Sequence, residues 1–132
     1  MLKKPQKLTK MVFKKFVELG RIVYIQDSNQ IAAICDVVDK NHVIIDAPSV
    51  NRQKINLKRV MLTKFKIDFL HGARTKTVNK AWAAADVDSQ WAGSTWAQNL
   101  AKKALRAGAN DFQRFKVMKL KQARRQIING KK

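Results

Sequence analysis

The sequence predicts an α+β protein in which a small β-barrel is followed by C-terminal α-helices. Three short apolar runs rich in β-branched residues and two further strand candidates follow one another between residues 21 and 67, with polar turns between them. Beyond Gly72 the period-two pattern ends, and residues that favour helices, chiefly Ala, Lys, Arg and Gln, predominate. With 132 residues and 45% apolar content, the chain can form one core of roughly a hundred residues.

Each of these five stretches predicts one strand. The predicted strands are Arg21 to Ile25, Ile31 to Val38, His42 to Asp46, Gln53 to Leu57 and Val60 to Ile67. The segments between them contain Asp, Asn, Ser and Pro, which favour turns. Short strands leave unpaired edges unless the sheet curls round on itself. We therefore expect a closed or partly closed barrel.

Two helices are predicted to follow the barrel. A short one covers Val78 to Ala85, and a longer one runs from a cap at Asp88 to Ala107, with Gly108 as its stop. At 100° per residue, the apolar residues of the longer helix fall on one half of its surface and the basic and amide residues on the other. We therefore expect this helix to pack on another part of the protein.

A last helix is predicted from Asp111 to Ile128, with Asn110 or Asp111 as its cap. Projection around its axis gives no clean apolar stripe, because basic and apolar side chains are scattered on most sides. Such a helix buries little apolar surface by packing on its own domain and is therefore stabilised little by that contact. We expect it to be frayed when free and ordered by surrounding phosphates.

The charge of the chain predicts a polyanionic partner. The sequence has 28 Lys and Arg against 9 Asp and Glu, a formal net charge of +19. The basic residues are concentrated in residues 1–80 and 101–132, whereas residues 81–100 contain none and carry all three tryptophans, Trp82, Trp91 and Trp96. A tryptophan-rich neutral stretch indicates a packing centre. Nucleic acid is the densest common partner for such a polycation.

Several other classes of protein are excluded. The longest apolar runs are five residues, far short of the ~20 that a membrane span requires. The first ten residues lack the apolar segment of a secretory signal, so we expect cytosolic or nuclear residence. One cysteine, Cys35, with His42 and His71, cannot form an internal disulfide or a zinc site. There is no glycine-rich phosphate loop, nucleophile elbow or carboxylate cluster, so no enzyme, cofactor or small-molecule substrate is expected.

Nineteen basic residues are the candidate nucleic-acid-binding set, because each flanks a predicted strand, occupies a loop or lies on a basic helix from which a long side chain can reach phosphates. They are Lys14, Lys15, Arg21, Arg52, Lys54, Lys58, Arg59, Arg74, Lys76, Lys80, Lys102, Lys103, Arg106, Arg114, Lys116, Lys119, Lys121, Arg124 and Arg125. The hydroxyls of Thr75 and Thr77 are suited to bonding phosphate oxygens. Such contacts give affinity and salt dependence with little base discrimination.

Co-linear segments of the chain resemble a known family. They are Val12 to Arg21, Ala32 to Asp39, Val43 to Pro48, Arg52 to Leu57, Trp82, Trp91 to Ala92, Ser94 to Ala97 and Asp111 to Met118. In this order they resemble the L-fourteen-e family of eukaryotic-type large-subunit ribosomal proteins, over about residues 11 to 130. The turn Asp27 to Gln30 departs from the family pattern, since it is shorter and lacks glycine.

The resemblance implies an SH3-like barrel bearing a variant KOW motif. With it we expect the barrel at 11–72, a helical segment packed on the barrel at 73–108 and a basic helix or tail at 109–132. Residues 1–10 precede the family's usual start near Met11 and form a basic N-terminal extension, either an added arm or a disordered leader. The implied function is that of a structural constituent of the 60S subunit, which stabilises folded ribosomal RNA and bridges it to neighbouring ribosomal proteins in translation. The implied location is the cytoplasmic ribosome, with assembly through the nucleolus. The alternative is a free-standing KOW-type transcription or chromatin factor.

Overall fold

The computed structural model describes residues 15–130, and within them it confirms the α+β class. The strands are β1 (Arg21–Ile25), β2 (Gln30–Val37), β3 (His42–Ala47), β4 (Val50–Asn56) and β5 (Val60–Lys66), and the helices are α1 (Thr75–Ala84), α2 (Val87–Ala92), α3 (Thr95–Ala107) and α4 (Asp111–Asn129). A single 3-10 turn, Leu57–Arg59, connects β4 to β5. The chain divides into two compact units, with the boundary between Val87 and Asp88.

The five strands form one antiparallel sheet in the order β4-β3-β2-β1-β5. Register shifts interrupt three of the four ladders, and bulges of this kind bend a sheet. No ladder among residues 15–130 joins β4 to β5, so the sheet is open and the structure does not show a closed barrel. The edge strand β4 is polar and exposed from Asn51 to Lys54. Charged residues on an edge strand discourage further pairing.

The core of the first unit is built from the central strands. Ile22, Val23, Ile34, Val43 and Ile45 are completely buried, and β1 is buried along its whole length. A central strand covered on both faces reads as a continuous apolar run instead of an alternating one. This burial explains why the apolar runs of β1 and β2 predicted their positions to within one residue.

Helix α1 completes this core by packing against β3. Its buried residues, Val78 and Trp82, are four apart and therefore lie on one face of the helix. Trp82 is thus a core residue, as the sequence indicated.

Gly20 fixes the entry into β1. Its φ is +74°, and a Cβ atom there would lie 1.8 Å from the carbonyl oxygen of Ile67. Its N–H donates to the carbonyl of Ile34 at 2.9 Å, and its own carbonyl accepts from the N–H of Ile67 at 2.9 Å. Only glycine combines a left-handed backbone with so close an approach.

The glycine-free turn after β1 obtains its left-handed residue from an asparagine. Asn29 has a φ of +56°, a region that Asn tolerates better than most side chains. The hydroxyl of Tyr24 donates to Asn29 Oδ1, which ties the turn to the preceding strand. The absence of glycine in this turn therefore does not prevent a tight connection.

The second unit contains a break that the sequence analysis missed. One helix from Asp88 to Ala107 was predicted, whereas α2 ends at Ala92 and α3 begins at Thr95. Asp88 lies within the first turn of α2. Ser94 is the N-cap of α3, and its hydroxyl accepts from the N–H of Ala97 at 3.2 Å. A serine that caps a new helix explains the break.

Helix α4 agrees closely with the predicted last helix. Asn110 is its N-cap, and Asn110 and Gln113 form a reciprocal capping box. Every residue of α4 from Asp111 to Asn129 is exposed. The helix therefore contributes no buried face within the described chain, and its predicted fraying in the free protein remains a prediction.

The two other tryptophans pack against each other in the second unit. The rings of Trp91 and Trp96 have centroids 5.3 Å apart and planes at 67°, an edge-to-face arrangement. Both side chains are half-buried. Within residues 15–130, every helix is too short or too polar to cross a lipid bilayer.

Candidate nucleic-acid interface

Most of the predicted RNA-binding side chains lie on the surface. All those at positions 15–130 except Arg21 are exposed, and Lys14 lies outside the described residues. Four of the described ion pairs use a lysine or arginine, and these join Arg21 and Lys66 to Glu18, Arg52 to Asp46 and Arg59 to Asp27. The excess of basic residues thus leaves most cations in the described chain without an acidic neighbour.

Arg21 is not an outward-reaching cation, and the reason for including it in the set was wrong. Its side chain is only 6% exposed. The guanidinium donates to the carbonyls of Phe16, at 3.2 Å, and Lys64, at 3.3 Å, and it pairs with the carboxylate of Glu18. A strand-flanking arginine was expected to face solvent, but at this end of β1, beside the register shift with β5, two backbone carbonyls and Glu18 hold the side chain.

The ion pairs of Glu18 predict a specific loss of stability in acid. Hydrogen bonds from Lys66, at 3.0 Å, and from Arg21 hold the pKa of the Glu18 carboxyl below its ordinary value of 4.5. Folded protein therefore binds fewer protons at this site than unfolded protein. The resulting stability is complete above the unfolded pKa and is lost as the pH falls through the lower folded value.

Urea midpoints of the wild type and a Glu18→Gln variant, measured from about pH 6 to about pH 3, separate the Glu18 contribution from the titration of other groups. Replacing Glu18 by Gln should lower stability at the upper end, and the gap to the wild type should narrow toward the lower end. The pKa of Asp39 is also lowered, chiefly by a hydrogen bond from the N–H of Asn41. Because Asp39 is present in both proteins, its contribution drops out of the difference in stability between them. Parallel acid curves for the two proteins would contradict the assignment.

Arg52 serves the fold as well as the surface. Its Nε donates to Asp46 Oδ2 at 3.0 Å, and its Nη2 donates to the carbonyl of Ala73 at 2.6 Å. The hydroxyl of Thr75 donates to the same Asp46 oxygen at 2.7 Å. Thr75, suggested by the sequence as a phosphate ligand, is therefore directed at a buried carboxylate. This cluster links β3, β4 and the start of α1.

A small basic cleft lies where the β1–β2 turn approaches β4 and the 3-10 turn. It has a volume of about 460 Å³, and its lining includes Lys54, Arg59, Asn56, Asp27 and Ser28. The predicted residue Lys58 is exposed beside it but does not line it. Arg59 is 3.7 Å from Asp27, a loose surface pair that leaves most of the guanidinium accessible.

A second cleft, which we call the loop cleft, lies between the β5–α1 connection and one face of α1. Its volume is about 630 Å³. It is lined by Asp68, Phe69, Leu70, His71, Gly72, Ala73, Arg74, Thr77, Lys80, Ala81 and Ala84. The structure thus brings together Arg74 and Lys80 from the predicted set, whereas Lys76 is exposed elsewhere on α1.

The largest cluster of predicted residues lies in the second unit, in what we call the basic groove. This groove runs between the end of α3 and α4 and has a volume of about 570 Å³. Its cations are Arg106, Arg114, Lys121 and Arg125, and the rest of its lining is Ala109, Val117, Met118 and Gln122. No carboxylate lines the groove, so it presents four positive charges to one ligand.

Helical periodicity explains the basic groove. Arg114, Lys121 and Arg125 are separated by seven and four residues, so they fall on one side of α4. Arg124, the residue before Arg125, does not line the groove. The contribution of Val117 and Met118 to the groove was not recognised in the sequence, although their spacing from Arg114 places them on the same side.

Two lysines of α4 lie over aromatic rings outside the groove. Lys116 Nζ is 4.3 Å from the centroid of Phe112, and Lys119 Nζ is 5.5 Å from that of Phe115. Both pairs are i, i+4 neighbours, which helical geometry brings together. The exposed Lys102 and Lys103 lie on α3 but do not line the groove.

Residues 15–130 contain neither a cluster of metal ligands nor an activated thiol. No group of three or more His, Cys, Asp or Glu in residues 15–130 could hold a metal ion. Cys35 is buried in β2, and burial raises the pKa of its thiol to about 11. A thiol with so high a pKa is protonated at neutral pH and is a poor nucleophile.

Comparison with known proteins gives consistent matches. The family described as Ribosomal protein L14 matches residues 51–125. Large ribosomal subunit protein eL14 of Candida albicans is 46% identical over 112 residues, with 84% of this chain and 85% of that protein covered. The eL14 proteins of Pisum sativum and Schizosaccharomyces pombe are 44% and 41% identical, with 86% and 89% of this chain and 89% and 91% of theirs covered.

These similarities place this strongly basic α+β protein in the class of ribosomal proteins. The matched family is not a family of enzymes. The chain belongs to the eL14 family of large-subunit ribosomal proteins. The resemblance noted from the sequence segments is thereby confirmed.

Proposed function

We propose that this protein is a structural constituent of the large (60S) ribosomal subunit, where it binds folded ribosomal RNA and bridges it to neighbouring ribosomal proteins. Family membership supports its place in the large subunit. The observation that carries the RNA-binding part is the basic groove, which gathers four cations and no acid. Its location would be the cytoplasmic ribosome, reached through assembly in the nucleolus.

Charge neutralisation is the proposed mechanism. Each lysine or arginine that reaches a phosphate releases condensed counterions, which gives affinity that falls with salt. The major groove of A-form RNA is too narrow for side chains to read bases, so these contacts fix position and shape more than sequence. Arg21 is left out of the proposed interface and Arg52 is assigned chiefly to the fold, whereas the exposed members of the predicted set remain in it.

The domain organisation supports two attachment regions. The strand order β4-β3-β2-β1-β5 with its bulges is compatible with an SH3-like arrangement, which we propose for residues 11–72. Residues 73–108 would connect it to the basic helix at 109–132. With its wholly exposed surface, α4 has both RNA-facing cations and apolar side chains such as Leu120 and Ile127 available to a neighbouring protein.

Sedimentation of cell extracts tests this proposal. We expect tagged protein to co-migrate with 60S particles and to remain there through a moderate salt wash, because many phosphate contacts act together. A tagged variant that lacks the four groove cations tests their contribution, and we expect it to be released from the particles at lower salt than the tagged wild type. A chiefly chromatin-bound pool, or protein that stays at the top of the gradient, would overturn the proposal.

A further inference from the structure

The loop cleft differs from the basic groove because its lining includes an aromatic ring, Phe69, and a largely exposed leucine, Leu70, beside two cations. Phe69 and Leu70 come from the β5–α1 connection, and Ala81 and Ala84 come from α1. Leu70 is 85% exposed, and leaving so much leucine surface in water is unfavourable. The cleft volume of about 630 Å³ lies within the usual range for small-ligand sites, roughly 300 to 1,000 Å³.

The polar side of the cleft favours an anion. Arg74 and Lys80 both line it, and in residues 15–130 neither forms an ion pair. Thr77 adds a hydroxyl three residues before Lys80, on the same face of α1. Asp68 is the acid in the lining, and His71 lies 3.3 Å from Asp36 through its Nε2. Two free cations against one carboxylate leave the cleft positive.

We propose that the loop cleft binds one unpaired RNA nucleotide, with its base against Phe69 and Leu70 and its phosphate at Arg74, Lys80 and Thr77. This inference rests on the proposed function, because it takes RNA as the partner. A base inside a duplex is already stacked on its neighbours, whereas a bulged or looped base is free to stack on an aromatic ring. An aromatic ring and a leucine beside two cations match the two chemical halves of a nucleotide, the base and the phosphate.

Three RNA hairpins test the proposal against the full-length protein. One carries a single bulged nucleotide, one carries an abasic residue at the bulge, and one is fully paired. Fluorescence anisotropy gives the Kd of each. We expect the bulged hairpin to bind about tenfold more tightly than the abasic one, since stacking of a base on an aromatic side chain contributes on this scale.

Substitutions at Phe69 and Leu70 locate the effect. Phe69→Leu should remove most of the preference for the bulged base and leave the Kd for the paired hairpin unchanged, whereas Phe69→Trp should retain the preference. Phe69 is half-buried, so Leu70→Ser provides a second variant at an exposed position, where the substitution removes no core contact. It should reduce the preference by a smaller factor.

The outcomes distinguish this inference from the proposed function. Equal affinity for the bulged and abasic hairpins, with binding of paired RNA intact, would overturn the nucleotide site but not RNA binding. A protein segment would then be the alternative occupant of the cleft. A preference unaffected by both Phe69→Leu and Leu70→Ser would also overturn it. Failure to bind any of the three hairpins at low salt would overturn RNA binding itself.

Discussion

Replacing Arg52 by alanine should lower the free energy of unfolding by about 3 kcal/mol, because it strips a buried carboxylate of its cation. Asp46 is completely buried, and its Oδ2 accepts from Arg52 and Thr75. Its Oδ1 has no hydrogen-bond partner among the described residues. With Arg52 gone, a single hydroxyl would remain to stabilise the charge. Urea denaturation followed by circular dichroism measures the change.

Two further variants make the Arg52 prediction specific. Arg59→Ala removes a cation that is 68% exposed and 3.7 Å from its acid, so it should cost less than about 1 kcal/mol. Adding Asp46→Asn to Arg52→Ala should recover part of the lost stability, since an amide is cheaper to bury than an unpaired carboxylate. If Arg52→Ala and Arg59→Ala destabilise the protein equally, the cluster does not have the role assigned to it.

The strands and the last helix were predictable because their signals are local. Apolar residues fill β1 and most of β2, and turn residues bound them, so these two strands were placed within one residue. The more polar β4 begins at Val50, three residues before the predicted start at Gln53. Asn110 and Gln113 form a capping box that is visible in the sequence as a pair three apart. The break at Ser94 was missed because alanine and tryptophan on both sides continue a helical pattern, and one capping serine outweighs it.

The sequence could not predict which arginines are held within the fold and which basic residues remain exposed. Arg21, Arg52 and Lys54 lie within strands and Lys58 lies just after one, and composition does not distinguish them. What separates them is a three-dimensional partner, since Glu18 and the Lys64 carbonyl enclose Arg21 and the buried Asp46 holds Arg52. The loop cleft was likewise invisible, because it depends on how the β5–α1 connection folds back beside α1.

A triple variant of the basic groove should show the largest loss of RNA affinity. Changing Arg114, Lys121 and Arg125 to Gln removes three of the four groove cations. We expect the Kd for double-stranded RNA at moderate salt to rise about a hundredfold, and the slope of log K against log salt to decrease by about three. Glutamine favours helices and all three positions are exposed, so α4 should be retained.

A second triple variant decides whether the arrangement of the charges or only their number matters. Changing Lys116, Lys119 and Arg124 to Gln alters the net charge by the same amount but leaves the groove intact. Counterion release depends on cations that reach phosphates together, so we expect this control to weaken binding by less than about tenfold. Equal losses in the two triple variants would mean that RNA responds to overall charge, and the groove would then have no special part in binding. A larger loss for the groove variant, with unchanged helix content in both, follows only if the four cations engage one RNA backbone as a set.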